Sequence, residues 1–175
     1  MSSNVIAVVG PSGAGKDTLM RAAARALPTI RLARRAITRP CEDSSEDFEA
    51  VAADEFARRR AKGDFVLDWQ AHGLRYGVPH PSGAGIWLMN LSRRVLPQAA
   101  GALPGLGVIH VTADPATLAA RLAGRGRESA TDISTRIARD ACFDAAGLTV
   151  ITIDNSGALA DARSAFIAAV QELSQ

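Results

Sequence analysis

The chain has 175 residues, the length of one domain with room for a small inserted lobe, and 47% hydrophobic residues supply a substantial core. A net charge of +2 gives no reason to expect a nucleic-acid partner, although 18 of the 20 basic residues are arginine, the side chain suited to bidentate phosphate contacts, and only Lys16 and Lys62 are lysine. Two distant cysteines, Cys41 and Cys142, fit a reduced cytoplasmic chain; no Cys/His metal cluster, signal peptide or bilayer-length apolar stretch is present.

In chain order, Val5 to Val9 is a continuous apolar run, the pattern of a buried parallel strand. A Gly-rich turn follows, and Leu19, Ala23 and Leu27 then repeat at helical spacing until Pro28. Leu32 to Ile37 reads as a second strand and 39 to 50 as a polar loop. Asp54 is placed to cap a helix running to Lys62, with Gly63 as its stop. Phe65 to Trp69 reads as a strand, His72-Gly73 as a turn, and Pro79 to Gly85 as a loop. Ile86 to Met89 is another buried strand; Ser92 begins a helix that Pro97 kinks or ends.

Val108 to Val111 is the next strand, and Asp114-Pro115 is a strong helix start, a cap followed by proline at the first helical position. Ser129 and Asp132 make a weak capping box before a helix marked by Ile133 and Ile137. Val150 to Ile153 is the last strand. Ser156 is placed to cap a final helix packed through Leu159, Ala162, Phe166, Val170 and Leu173. Strands alternating with helices predict an α/β chain, a parallel sheet covered on both faces in three layers. The irregular stretch of about 36–85 reads as a lobe inserted into it.

Gly10-Pro11-Ser12-Gly13-Ala14-Gly15-Lys16 matches the first seven positions of the phosphate-loop pattern, between a strand and a helix. Glycines let the backbone turn its N–H groups toward a phosphate, the helix start adds positive charge, and Lys16 brings a full one to the outer phosphates. Asp17 stands where serine or threonine normally meets magnesium; a carboxylate is a good ligand for that ion, and Thr18 follows it.

Arg121, Arg125, Arg127, Arg136 and Arg139 crowd one segment, and the Gly-flanked stretch Leu122 to Glu128 suits a cover closing over a polyphosphate, a lid of about 121–139. In the inserted lobe, Arg34, Arg35 and Arg39 are placed to grip a second substrate's phosphate. Arg58, Arg59 and Arg60 fan outward on a helix and read as a solvated face. Trp69, His72 and Tyr76 surround a turn. No nucleophile–base pair stands out, which favours an acceptor that is itself a phosphate and already ionised at neutral pH.

These parts, in this order, resemble the guanylate-kinase-like group of nucleoside monophosphate kinases over nearly the whole chain. The resemblance rests on the phosphate loop, Thr38-Arg39, Asp54-Glu55-Phe56, Gly63-x-Phe65, Tyr76-Gly77, Arg121-Leu122, Arg125-Gly126 and Arg136. It implies a phosphate-loop kinase fold with an acceptor lobe and an arginine lid. Guanylate kinase itself differs: Glu42 stands at its second arginine, Phe48 at its phosphate-binding tyrosine and Leu67 at its guanine-reading glutamate. Without polar readers a site cannot select guanine by hydrogen bonds.

A sister family, the ribose 1,5-bisphosphate phosphokinases of phosphonate catabolism (PhnN-type), is more similar. Gly15-Lys16-Asp17, Trp69-x-Ala71-His72-Gly73-Leu74-x-Tyr76-Gly77, Asn90-x-Ser92-Arg93 and Arg125-Gly126-Arg127-Glu128 carry that likeness. Leu91 departs from the small residue usual there, and the segment from Tyr76 to Asn90 is short. The resemblance implies ATP and magnesium as cofactors and transfer of the γ-phosphate to ribose 1,5-bisphosphate, giving phosphoribosyl pyrophosphate.

On this reading Gly10, Pro11, Ser12, Gly13, Ala14, Gly15 and Lys16 hold ATP phosphates, with Asn155 near the adenine edge. Asp17 and Thr18 hold magnesium, directly or through water. Arg35, Arg39, His72, Tyr76, Ser92 and Arg93 bind the acceptor, with Asn90 a second-tier contact. Arg125, Arg127 and Arg136 join Lys16 at the transferring group. The expected partner is a small sugar phosphate or nucleoside monophosphate in the cytoplasm, with no nucleic acid or membrane. The rivals are guanylate kinase and a non-catalytic binding module on the same fold.

Overall fold

The computed structural model describes residues 4–40, 47–124 and 144–175. Its centre is β1 (Val5–Val9), every residue of which is buried. Ile6 and Val8 enter one apolar cluster with Leu19 and Phe166, while Val5, Ala7 and Val9 enter another with Leu96 and Ala99. A strand buried on both faces must be aliphatic throughout, and this is why the run does not alternate.

The flanking helices are α1 (Lys16–Ala26), carrying Leu19, and α5 (Leu159–Leu173), carrying Phe166, on one face. On the other lies α3 (Leu96–Ala102), with Leu96 and Ala99. Between them the strands β2 (Ile30–Leu32), β7 (Ile86–Asn90), β8 (Gly107–Thr112) and β9 (Val150–Asp154) join β1. Their order is β2-β7-β1-β8-β9, and every pairing is parallel. This is the three-layer α/β sheet expected.

A second sheet has the order β4-β3-β6-β5, formed by β3 (Arg35–Ile37), β4 (Phe48–Ala50), β5 (Phe65–Ala71) and β6 (Leu74–Pro79). β5 and β6 form a hairpin whose two turn residues, His72 and Gly73, have φ of 51° and 73°, the left-handed pair that a twisted two-residue turn requires. Phe65 stacks on Phe56 of α2 (Ala53–Ala61), with ring centroids 4.9 Å apart. Leu67 and Val78, on the opposite face, are buried in the α3-side core of the main sheet.

Several expectations need correction. Leu32 to Ile37 is two strands, because the chain changes sheet at Ala33-Arg34; Ala33 N–H still donates to Leu88 at 3.0 Å, and Arg34 turns to the Asp47 carboxylate and the Phe48 carbonyl. The 39 to 50 loop ends in β4, whose pairing with β3 is parallel. Asp54 is not the cap of α2. Ala52 is, and Asp54 and Glu55 lie in the first turn, where negative charge complements the helix dipole.

Gly63 does stop α2: its N–H donates to Arg60, and that of Asp64 to Arg59. Arg58 pairs with Glu55 and Arg60 with Asp68, both largely exposed, but Arg59 lies over the Phe65 ring and pairs with Glu49. Pro97 neither kinks nor ends its helix. A 3-10 turn spans Arg93–Val95, and Pro97 sits in the first turn of α3, where its missing N–H costs nothing.

Asp114 caps α4 (Pro115–Ala123) as expected, accepting from Thr117 N–H at 2.8 Å. Ser156 does not cap α5. Ala158 holds that position, and the Ser156 hydroxyl accepts from Asp114 N–H at 2.8 Å, tying the start of α4 to the end of β9. Leu159 is half exposed rather than packed. Among the described residues, no helix is long and apolar enough to cross a membrane.

Candidate active site

The Gly10 to Lys16 turn joins β1 to α1 at the carboxyl end of the parallel strands, where ligands of open α/β sheets bind. Gly15 is the N-cap of α1 with φ 93°, and a Cβ there would lie 2.5 Å from the Asn155 side-chain nitrogen. Gly10 is tighter still, since a Cβ would meet the Val111 carbonyl at 2.0 Å. The glycines therefore bend the turn and also let it lie against β8 and the loop after β9. Lys16 Nζ donates to the carbonyls of Gly10 (2.8 Å) and Pro11 (3.0 Å), holding the ammonium across the turn.

Two side chains brace this loop from behind. Asn155, only 2% exposed, donates from Nδ2 to the Ala14 carbonyl at 2.7 Å. Its Oδ1 is buried without a hydrogen-bond partner among the described residues. Arg121, expected in the lid, instead donates to the carbonyls of Gly13 (3.3 Å) and Asn155 (2.8 Å), linking α4 to both.

Asp17, in the first turn of α1, accepts from Asn90 Nδ2 at 3.0 Å. Asn90 is the last residue of β7, so the neighbouring strand aims the carboxylate. Thr18 is not brought to this pair; it is exposed and faces the groove between α1 and α5. Among the described residues, no group of three His, Cys, Asp or Glu gathers around a metal. One oriented carboxylate beside a phosphate loop fits magnesium, which commonly takes one or two protein carboxylates, substrate phosphates and water.

The expected acceptor residues fall into three places. Tyr76 stacks on Trp69 with ring centroids 5.2 Å apart, and the Arg35 guanidinium lies 6.0 Å from the Tyr76 ring centre. Arg39 lies over the Phe48 ring at 4.4 Å, and Thr38 before it is tied to the main chain of Arg75. Ser92 and Arg93 follow β7 beside the loop. His72 is exposed in the turn of the β5–β6 hairpin that carries Trp69 and Tyr76. Leu67, at the guanine reader's position, is buried in the core and has no opening to read a base. Arg125, Arg127 and Arg136, with Arg139, lie outside the described residues.

Sequence reading missed His110. It pairs with Val9 in the last rung of β1 and β8, half buried. Burial, then the charges of Arg93 and Lys16, push its pKa below the ordinary value. Burial, then Arg94, likewise lowers Arg93. These opposing positive charges place Arg93, His110 and Lys16 in one electrostatic neighbourhood, a setting that attracts an anion. The available signal was a single ring nitrogen pair inside Gly107-Val-Ile-His-Val-Thr112, an otherwise apolar strand.

No family model matches the chain. Curated relatives do. The chain is 49% identical over 164 residues to ribose 1,5-bisphosphate phosphokinase PhnN of Ruegeria sp., covering 90% of this chain and 86% of that one. It is 42% identical over 176 residues to the protein of the same name from Agrobacterium fabrum, covering 96% of each.

Among solved structures, guanylate kinase from Anaplasma phagocytophilum superposes with a TM-score of 0.62 at 18% identity, covering 98% of this chain and 85% of that one. A gluconokinase from Sinorhizobium meliloti gives 0.57 at 16% identity, covering 99% and 95%. The fold is thus that of phosphate-loop kinases. With identity this high along almost its full length, the chain belongs to the ribose 1,5-bisphosphate phosphokinase family.

Proposed function

We propose that the chain transfers the γ-phosphate of ATP to the 1-phosphate of ribose 1,5-bisphosphate. An oxygen of the acceptor phosphate attacks the γ-phosphorus. The bond from that phosphorus to the β,γ-bridging oxygen breaks, ADP leaves, and the new diphosphate is phosphoribosyl pyrophosphate. The acceptor is already largely ionised at neutral pH, so no strong base is needed, in keeping with the absence of a nucleophile–base pair in the sequence.

The observation that carries the reading is the Lys16 ammonium at the mouth of a glycine turn heading α1, in a chain 49% identical to a kinase of that name. Backbone N–H groups of Ser12 to Lys16 cradle the β- and γ-phosphates, and Lys16 neutralises charge developing on the transferring group. Asp17, aimed by Asn90, would hold magnesium directly or through water, and the ion would supply neutralisation of the negative charge on the phosphates. Arg39, Tyr76, Ser92 and Arg93, with Arg35 beside the Tyr76 ring, bind the acceptor. Arg125, Arg127 and Arg136 close over the γ-phosphate.

The likeness to a guanylate kinase structure raises GMP as an acceptor. Phe48 beneath Arg39 and Leu67 in the core offer no hydrogen bond to guanine. A coupled assay of ADP release with ribose 1,5-bisphosphate and with GMP separates the two. Turnover is expected with the sugar bisphosphate, falling about 100- to 1000-fold or more in Lys16→Ala. Turnover with GMP alone, or full activity in Lys16→Ala, would overturn the proposal.

A further inference from the structure

Leu67 and Trp69 of β5, Tyr76 and Val78 of β6, and Arg35 and Ile37 of β3 share one face of the second sheet, since side chains alternate along a strand. Leu67 and Val78 are fully buried and join Val95 and Leu96, which directly follow Arg93 and Arg94, in the α3-side core. Trp69 packs against the same core but is only half-buried, as is Tyr76. The Trp69–Tyr76 rung is therefore where this face leaves the core, on the side that carries Arg93.

At that rung the two rings lie flat on each other, with an interplanar angle of 4° and centroids 5.2 Å apart. Ile37, the register partner of Tyr76 on β3, stands on the other side of the phenol and is buried. The Arg35 guanidinium lies 6.0 Å from the Tyr76 ring centre. With Trp69 on one side and Ile37 on the other, the phenol offers a nucleobase no open face to stack on. What remains is ring edges, the phenol hydroxyl and a guanidinium. An aromatic edge carries the positive part of the ring's quadrupole and so accommodates oxygen. Such a surface suits the hydroxyls and phosphates of a sugar ester.

We infer that Trp69 determines acceptor specificity: its indole, held flat against Tyr76, takes the room in which a base would stack and keeps the Tyr76 hydroxyl turned to a sugar phosphate that carries no base. This role rests on the proposed transfer to ribose 1,5-bisphosphate. It adds the residue that tells that acceptor from a nucleoside monophosphate, a distinction the phosphate loop, needed for either, cannot make.

Steady-state ADP release with ribose 1,5-bisphosphate and with GMP, for the wild type, Trp69→Ala, Trp69→Leu and Trp69→Phe, tests this. Trp69→Ala should raise KM for the sugar bisphosphate about tenfold, with a smaller change in kcat, and move the ratio of kcat/KM values toward GMP by at least about tenfold. Trp69→Leu keeps apolar packing on the core should alanine disturb folding; it still removes the ring and should shift the ratio the same way. Trp69→Phe restores a ring on Tyr76 and should return most of the wild-type preference. Melting temperature monitors all three.

A substitution that merely loosens the lobe would lower kcat/KM for both acceptors alike. An unchanged ratio in Trp69→Ala and Trp69→Leu, beside wild-type turnover of the sugar bisphosphate, overturns the role of Trp69 and leaves the proposed reaction standing. So does Trp69→Phe behaving like Trp69→Ala. Wild-type turnover with GMP and none with ribose 1,5-bisphosphate overturns the reaction, and the role of Trp69 with it.

Discussion

Gly15 and Asn155 are 140 residues apart in sequence, yet the structure makes them compete for one space. Gly15→Ala puts a methyl group 2.5 Å from Asn155 Nδ2 and forces an L residue to φ 93°. The left-handed backbone costs about 1–2 kcal/mol. Moving the amide away sacrifices its 2.7 Å bond to the Ala14 carbonyl, leaving a buried acceptor unsatisfied, a further ~1–3 kcal/mol. The single variant should therefore lose about 2–5 kcal/mol.

Asn155→Ala removes the same bond, with some relief because the partnerless Oδ1 leaves too, a net loss of about 1–2 kcal/mol. In the double variant the bond is lost once and the methyl group occupies the space of the amide. The combined loss should fall at least ~1 kcal/mol short of the sum of the singles. Equilibrium urea denaturation of all four proteins measures this, provided the slope with denaturant is constant. Losses that add to within about 0.5 kcal/mol would refute the packing of Asn155 against the loop.

Asp17→Ala should raise the magnesium concentration needed for half-maximal rate more than it weakens nucleotide binding, and Asn90→Ala should do the same more mildly, about 3- to 10-fold for one lost hydrogen bond. Equal losses of metal and nucleotide affinity would contradict the assigned role. Because the folded chain holds the His110 pKa below its ordinary value of about 6.5, the unfolded chain binds that proton more readily. Stability linked to His110 is thus full above about pH 6.5 and is lost as pH falls below it; urea midpoints of His110→Gln should decline less on acidification, and parallel declines would refute this.

Asp114 is shifted down by the Thr117 backbone and side-chain hydrogen bonds, so its contribution is present above its ordinary value near 4 and lost as pH drops. Asp114→Ala should lower the thermal midpoint at neutral pH, with Asp114→Asn keeping most of the cap. An alanine variant as stable as the parent would show the cap to be idle.

The elements that reading the sequence placed well are those whose signals are local. Val5 to Val9, Asp114-Pro115 and Gly63 each carry their own instruction: a run buried on both faces, a side-chain cap with fixed φ, a left-handed stop. The misplacements are non-local. Nothing in Leu32 to Ile37 marks a change of sheet, because either sheet accepts the same alternating residues; the break is decided by Leu88 and Asp47, which lie elsewhere in the chain. Ser156 has the chemistry of a cap, but Asp114 N–H, 42 residues away, claims its hydroxyl. Arg121 resembles the arginines that follow it in sequence, and only the approach of α4 to the loop gives it the Gly13 and Asn155 carbonyls.

The candidate site follows one rule that joins both kinds of signal. The strands β1, β7 and β8 are apolar until near the carboxyl end of the sheet, where a residue of another kind appears: Gly10 after β1, Asn90 closing β7 and His110 near the end of β8; Asn155 follows the edge strand β9, which also carries Thr152. The order β7-β1-β8-β9 sets those four positions side by side. Asn90 reaches one strand across to aim Asp17, and Asn155 reaches back to hold Ala14. A carboxylate in the first turn of α1, where a hydroxyl usually stands, adds negative charge to a phosphate site. On the proposed function that charge would help only if directed at a metal rather than at the phosphates, and the Asn90 amide would supply the direction from a strand the sheet holds fixed. The unusual residue in the loop and the polar residue ending β7 are joined by one hydrogen bond, legible as a pair only when the strand order is known.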